Sequence, residues 1–149
     1  MDSSVLHLGG DEAEFLSVTV LGRSHGDATD YWDGNWLAVE VQLAIGGFRG
    51  GFSATFRAEE FRSFLLELRQ FATDLSASAN FQTLENQLEL HFTGDGRGHI
   101  AVSGLARDVA GTGNQLRFQL GIDQTRASAL TKQTDALVAR YPVIGSPAA

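Results

Sequence analysis

The sequence contains no cysteine, only two prolines and one lysine, and no long apolar run. Without cysteine the chain can form no disulfide, no thiolate nucleophile and no cysteine-ligated zinc or iron–sulfur site. No stretch approaches the roughly 18 consecutive apolar residues that a membrane span requires. The N-terminus also lacks the basic start and apolar stretch of a signal peptide. We therefore expect a cytoplasmic protein with no membrane partner.

Positive charge is also scarce. The sequence has 18 acidic and 11 basic residues, and its formal net charge is −7. The acids are spread along the chain, so the folded surface should carry a negative potential that repels phosphate backbones. We expect no direct binding of nucleic acid. The same potential would speed the encounter with a basic protein.

Length and composition are those of one ordinary domain. A chain of 149 residues with 43% apolar residues can build one continuous core. We expect a single domain over residues 1–149, with an ordered core at about 12–142.

Strand-like alternation dominates the first third of the chain. Apolar residues alternate with polar ones over residues 37–45 and again over 48–57, and Gly46-Gly47 between them is a hairpin signal. Residues 15–23 predict a further strand. The pair Gly50-Gly51 predicts a bulge or a close backbone approach within the strand that contains it.

Two segments have the period of a helix instead. Over residues 58–75 apolar side chains recur at intervals of three and four, which predicts an amphipathic helix. A second stripe predicts a helix over residues 124–140, with Asp123 or Thr125 as N-cap and a stop before Pro142. Such stripes are stable only when they dock on another element.

Alternation returns between the two helices. It predicts four strands, at residues 80–84, 88–93, 99–107 and 116–122. Hairpin-length connections require antiparallel pairing. We therefore predict an α+β fold of two layers, with one antiparallel sheet of six to seven strands and two helices packed on one face.

Residues 30–36 form the densest cluster of large aromatic and acidic side chains, with the sequence Asp-Tyr-Trp-Asp-Gly-Asn-Trp. The Asp33-Gly34-Asn35 segment predicts a tight turn that leads into the next strand. Two interpretations remain open. Trp32 and Trp36 could cap the open end of the core, or the aromatic and acidic rim could form a recognition surface.

Patterns typical of catalysis or metal binding are present but lack their context. The glycine-rich stretch 94–98 lies between two strands, which indicates a hairpin turn and not a phosphate loop. The segment Ser24-His25-Gly26-Asp27 lacks the strand-to-helix turn of a nucleophile. His91 and His99 could be cross-strand neighbours, but two imidazoles make a weak metal site. We expect no cofactor, no metal and no enzymatic activity.

The segment Tyr31-Trp32-Asp33-Gly34-Asn35-Trp36-Leu37 is followed by an alternating strand, a helix and more strands, and Ile122-Asp123-Gln124-Thr125 then opens the last helix. In these two blocks and in this order of elements the chain resembles the WapI-type immunity proteins, small bacterial proteins encoded beside polymorphic toxins. The resemblance covers about residues 12–142. It implies a cytoplasmic inhibitor without catalysis of its own that binds and occludes a cognate toxin domain, often a nuclease.

Three functions remain after the sequence is read in this way. The first is an immunity protein whose cognate toxin is basic. The second is a small-ligand or carbohydrate-binding domain that uses the rim of Trp32 and Trp36, and the third is an uncharacterised enzyme. The sequence does not determine the oligomeric state. For the immunity protein, the candidate partner-binding residues combine clustered negative charge with aromatic area: Asp27, Asp30, Tyr31, Trp32, Asp33 and Trp36.

Overall fold

A computed structural model describes residues 4–9, 14–74 and 76–147. Within these residues the chain forms eight strands and three helices. In chain order they are β1 (Val5–Gly9), β2 (Phe15–Arg23), α1 (Tyr31–Gly34), β3 (Trp36–Ile45), β4 (Phe48–Arg57), α2 (Ala58–Thr73), β5 (Ser78–Gln82), β6 (Leu88–Gly94), β7 (His99–Arg107), β8 (Gln115–Asp123) and α3 (Gln124–Arg140).

The strands form two antiparallel sheets of four. Sheet A has the order β1-β2-β3-β4 and sheet B the order β5-β6-β7-β8, so within each sheet the spatial order of the strands follows the sequence. The predicted α+β class with antiparallel pairing is confirmed. The prediction of one sheet of six to seven strands is wrong, because β1 was missed and α2 separates β4 from β5. The alternation of apolar and polar residues indicates which neighbouring strands pair as a hairpin. It does not indicate which hairpins belong to the same sheet.

The hairpin of β3 and β4 is the longest regular part of sheet A. Its strands pair from Trp36 opposite Arg57 to Ile45 opposite Phe48. The two-residue turn opens on Gly46, whose φ of 58° suits glycine. Of the two alternatives predicted for Gly50-Gly51, the bulge is wrong, since the β3–β4 register runs through both residues without a shift. The irregularity lies in β2 instead, between Val20 and Gly22.

Both helices bury the stripe that their period predicts. α2 buries a row of phenylalanine and leucine side chains, and α3 buries Ala127, Leu130, Thr134 and Leu137. α2 contacts α3 and the edge strand β5, while α3 also contacts the edge strand β1. α2, which follows sheet A in the chain, therefore packs against sheet B, and α3, which follows sheet B, packs against sheet A. No helix within the described part of the chain is long and apolar enough to span a membrane.

The core is continuous between the two sheets. Phe81 on β5 lies at its centre, with its ring centroid 5.1 Å from that of Phe64 and 5.5 Å from that of Phe61, both on α2. Its ring is also 5.8 Å from that of Phe56 on β4. Aromatic pairs at these distances add packing energy beyond the area they bury. This cluster joins sheet A, α2 and sheet B.

Candidate functional site

Residues 24–35 fold over one end of the outer face of sheet A. They leave β2 at Arg23 and return to β3 at Trp36, and the amide of Ser24 donates to the carbonyl of Trp36 at 2.8 Å. The predicted turn before β3 is present as the single helical turn of α1. Asp30 caps it, since its Oδ2 accepts from the amide of Asp33 at 3.1 Å.

A buried arginine lies beneath α1. Arg57, the last residue of β4, is only 3% exposed. Its Nε donates to Glu59 Oε2 at 2.6 Å, and its terminal nitrogens donate to the carbonyls of Tyr31 at 2.8 Å and Trp32 at 2.9 Å. A buried cation is tolerated when it is paired and hydrogen-bonded in this way.

Three aromatic rings surround the same guanidinium group. Its central carbon lies 5.1 Å from the ring centroid of Tyr31, 5.6 Å from that of Trp32 and 4.8 Å from that of Trp36. A cation within about 6 Å of a ring face is attracted by the ring's quadrupole. Residues 30–36 thus form an aromatic cage whose occupant is Arg57 of the same chain.

Glu59 links the cage to the start of α2. Tyr31 donates its hydroxyl proton to Glu59 Oε2 at 2.7 Å, and this hydrogen bond raises the pKa of Tyr31 above its ordinary value, with burial adding to the effect. Burial alone would raise the pKa of Glu59. The hydrogen bonds from Arg57 and Tyr31 outweigh that effect and lower it. Glu59 is therefore held as a carboxylate in the cage.

The C-terminal segment, residues 142–145, packs against the other side of α1. Asn35 is fully buried, and its side chain donates to the carbonyl of Ile144 at 2.8 Å and accepts from the amide of Ile144 at 2.9 Å. Arg23 donates to the carbonyls of Gly34 at 2.8 Å and Pro142 at 2.6 Å. A Cβ on Gly34 would lie 2.3 Å from Ile144 Cδ1 and 3.2 Å from the carbonyl oxygen of Ala28, so a larger residue there would require the Ile144 side chain to move.

The candidate partner-binding residues divide into two groups. Asp27, Asp30 and Asp33 are exposed, as is Trp32 at 57%. Tyr31 and Trp36 are half-buried against Arg57. The structure therefore brings all six onto one surface segment, with the acids outside and the aromatic rings around the cation. Their role as contacts with a partner stays a prediction.

The interpretation of the tryptophans as caps on the apolar core is wrong. The side chain of Trp36 lies on the outer face of sheet A, because alternate residues of a strand face opposite sides and its neighbour Leu37 points into the core. Both tryptophans lie over the charged group of Arg57 instead. Sequence reasoning did not identify Arg57, Glu59 or the C-terminal segment, since no local pattern connects them with residues 30–36.

The other chemical patterns do not form sites. Ser24, His25 and Asp27 are exposed. His91 and His99 are not cross-strand neighbours, because His91 lies opposite Ser103 and His99 opposite Asp123. The stretch 94–98 is the predicted hairpin turn between β6 and β7. Within the described residues no three histidine or acidic side chains lie close enough together to hold a metal ion.

Comparison with known proteins matched the chain to a family and to solved structures. The family model described as the immunity protein WapI-like family matches residues 7–142. The crystal structures of MRP1/MRP2 of Trypanosoma brucei contain a chain that is 13% identical, with a TM-score of 0.48. That match covers 93% of this chain and 84% of the other. No curated protein matches the chain.

Proposed function

Because the chain belongs to the WapI-like immunity protein family, we propose that it binds a cognate bacterial toxin domain and neutralises it by stoichiometric occlusion. The family match over residues 7–142 is the observation that carries this proposal. Membership implies a toxin partner and indicates a role without catalysis. The protein would act in the cytoplasm of the cell that it protects.

Charge indicates the character of the partner. The net charge of −7 would attract a toxin whose active surface is basic, as the surface of a nuclease must be in order to hold nucleic acid. An acidic inhibitor would compete for that surface. Attraction of this kind raises the rate of association and weakens as salt is added.

We propose that the outer side of the cage is the contact surface. It includes the exposed residues Asp27, Asp30, Asp33 and Trp32 of the same surface segment. Interface hot spots are commonly aromatic residues surrounded by polar ones. The backbone under this surface is held by Arg57 and Asn35, so little conformational freedom would be lost on binding.

The alternative of a carbohydrate-binding rim has less support from the geometry. Stacking on a sugar requires free ring faces, and Tyr31, Trp32 and Trp36 all lie within about 6 Å of the Arg57 guanidinium. Only Trp32 keeps most of its ring exposed. We therefore favour the protein partner.

The test changes Asp27, Asp30 and Asp33 together to Asn. Asn can still cap α1 at position 30, so the variant should fold while three charges are removed. We expect a lower association rate with the toxin domain encoded beside this protein, a weaker dependence on salt and loss of protection in a co-expression assay. Calorimetric titration would measure the affinity and the stoichiometry.

A matched control removes three charges elsewhere. Asp95, Asp108 and Asp135 changed to Asn lose the same charge at other places on the surface, and Asn can still accept the backbone hydrogen bonds at positions 95 and 108. If both triple variants bind equally well, the acids on the cage are not the contact surface. If the wild-type protein binds no neighbouring toxin domain, the proposed function itself is wrong.

A further inference from the structure

The outer edge of β4 is open, whereas the outer edges of β1, β5 and β8 in the two sheets contact other elements. Within the described residues no strand pairs with that edge. On the outer edge of β1, the amide of His7 donates to Gln133 Oε1 of α3 at 2.9 Å. On the outer edge of β5, the amide of Asn80 donates to Glu67 Oε1 of α2 at 2.9 Å. β8, the remaining edge strand, contacts β1 and α3.

The register shows which backbone groups of β4 point outward. The two-residue turn makes Ile45 and Phe48 a hydrogen-bonded pair, and such pairs alternate along an antiparallel ladder. Phe48, Gly50 and Phe52 therefore bond to β3. The amides and carbonyls of Arg49, Gly51 and Ser53 then point away from the sheet, in the orientation that a further strand would need.

This part of β4 also lacks the features with which proteins block an edge. It has no proline, no lysine and no register shift, and its one charged residue before Arg57 is Arg49. Phe48 is 64% exposed. A Cβ on Gly50 would meet nothing within 4 Å. Long open edges of this kind are pairing sites unless charge, proline or a covering element protects them.

We propose that β4 pairs antiparallel with β4 of a second copy of this chain, with Gly51 opposite Gly51 at a twofold axis. This register pairs Arg49 with Ser53 of the second copy and the reverse, which uses the outward-pointing groups of Arg49, Gly51 and Ser53 on each strand. The two four-stranded sheets become one sheet of eight strands. A twofold axis closes the assembly at a dimer.

The side chains on both faces of β4 fit this register. On the inner face, Phe52 lies opposite Gly50 of the second copy, so the ring covers the space that the glycine leaves open. Phe48 lies opposite Ala54 in the same way. On the outer face, Arg49 lies opposite Ser53, whose hydroxyl donates to Glu40 Oε1 at 2.6 Å.

Charge complementarity favours a second copy as the occupant of this edge. Arg49 of one copy comes within reach of Glu40 of the other, and the axis repeats the contact. Within one chain the two residues are far apart, since Glu40 lies opposite Ser53 and Arg49 opposite Ala44. The net charge of −7 on each copy opposes association at long range, and salt screens that repulsion.

The axis of this interface lies away from the proposed toxin surface. Gly51 on the axis and Arg57 in the cage are six residues apart on β4, which at ~3.3 Å per residue is roughly 20 Å. The end of the second copy's strand, at Phe48 opposite Ala54, comes within about 10 Å of Arg57. The inference rests on the open edge of β4 and does not depend on the proposed function.

Sedimentation velocity on the full chain tests the proposal. The interface is small, so we expect a reversible dimer with Kd on the order of 10 µM. Arg49→Glu alone and Glu40→Arg alone should each weaken the dimer at least tenfold by placing like charges together. The double variant should restore it. Arg62→Glu, on the exposed side of α2, makes the same charge reversal as Arg49→Glu and should have no effect.

Gly51→Pro provides an independent variant. It removes an outward-pointing amide, and the φ of Gly51 is not positive, so proline is tolerated at this edge position. It should abolish the dimer without loss of the circular dichroism spectrum. A wild-type protein that stays monomeric at about 100 µM, or a dimer unchanged in Gly51→Pro, would overturn the proposal. So would a double charge variant that does not restore pairing.

A toxin strand is the other occupant to be distinguished. If the wild type is monomeric alone but Gly51→Pro loses affinity for the toxin domain, β4 receives a strand from the partner and the homodimer proposal is wrong.

Discussion

The two halves of the molecule repeat one order of elements and differ most at the connection between their second and third strands. Each half has four antiparallel strands followed by a helix. In the first half the amide of Ala58, at the start of α2, donates to the carbonyl of Asn35 at 2.9 Å. In the second half the amide of Gln124, at the start of α3, donates to the carbonyl of Gly98 at 3.0 Å. Asn35 and Gly98 therefore occupy equivalent positions.

The halves differ most in the connection that ends at Asn35 in the first half and at Gly98 in the second. The second half joins β6 to β7 with residues 95–98, whereas the first joins β2 to β3 with residues 24–35, which include α1. The last strand residue before each helix differs accordingly. Arg57 is buried in the cage, while Asp123 is exposed.

This difference shows that the cage is not required to build the repeated unit. The second half forms the same sheet and helix with a four-residue glycine turn. The first half instead buries the cation of Arg57. Burial of a charge costs desolvation free energy unless the charge is fully paired. We infer that residues 24–35 are an addition that holds a particular surface in place.

Replacing Arg57 should break the first half most severely. Arg57→Met removes the cation and leaves the carbonyls of Tyr31 and Trp32 and the carboxylate of Glu59 without their donor. Removal of one member of a buried pair costs about 3–5 kcal/mol. Urea unfolding would measure the loss. Arg69→Met is the matched control, because its ion pair with Asp135 is exposed and should contribute less than about 1 kcal/mol.

If Arg57→Met and Arg69→Met lose similar stability, the cage is not a structural centre. The comparison between the halves would then reflect only loop length.

Replacing Asn35 tests the contact between α1 and the C-terminal segment, which Gly98 cannot make. Asn35→Ala leaves the amide and carbonyl of Ile144 without partners, and buried unsatisfied groups cost about 1–3 kcal/mol. We expect a loss of about 2–3 kcal/mol in the free energy of unfolding. Hydrogen exchange should also show faster exchange at the amide of Ile144. Unchanged exchange at that amide would contradict the assigned contact.

The second half has its own stabilising contact at the equivalent junction. Asp123 Oδ1 accepts from the amide of Arg126 at 2.8 Å and caps α3. Asp123→Ala should cost about 1 kcal/mol, the usual value of an N-cap. Asp123→Asn retains the acceptor and should stay close to the wild type. A loss as large as that of Arg57→Met would remove the contrast between the two junctions.

The smallest expected effect is a change of stability with pH. It concerns the carboxylate at the start of α2. α2 is capped by Glu60, whose carboxylate accepts from the amides of Arg57 at 2.7 Å and Leu84 at 2.6 Å. Burial raises the pKa of Glu60 above its ordinary value of 4.5, although these two hydrogen bonds oppose the rise. The folded protein therefore binds this proton more tightly than the unfolded chain does.

By linkage, this contribution to stability is fully present below pH 4.5 and is lost as pH rises through the folded-state pKa. The wild type should therefore gain stability relative to Glu60→Gln as pH falls from neutral towards 4.5. The neighbouring carboxylate of Glu59 adds to the rise in the pKa of Glu60 by charge repulsion. A stability difference that does not change with pH would contradict the assigned shift.

Local periodicity predicted most elements closely. β2, β4, β7 and α3 have the predicted ends, and α2 ends at Thr73 where the stripe predicted 75. β1 was missed, because five residues followed by glycine give too few alternations to count. The helical turn of α1 was predicted only as a turn, since four residues carry no period.

The aromatic and acidic segment was recognisable in the sequence, while its role as a contact surface stays a prediction. The density of aromatic and acidic residues at 30–36 singled out the segment, and the structure gathers those residues on one surface. What lies beneath them was not predictable, because Arg57 is about 20 residues further along the chain and Ile144 about 110. Nothing in the sequence around either residue indicates a contact with Tyr31 or Asn35.

The sequence by itself determined the seven longer-range alternations that became β2 to β8, the helices α2 and α3 and the side chains that face the core, because these follow from repeats of two and about 3.6 residues along the chain. Only the tertiary structure decided that the strands divide into two sheets, that the aromatic cage encloses Arg57 and that the edge of β4 stays open. Each of these depends on which distant segments meet, and long-range contacts are selected by packing and by the pairing of buried polar groups.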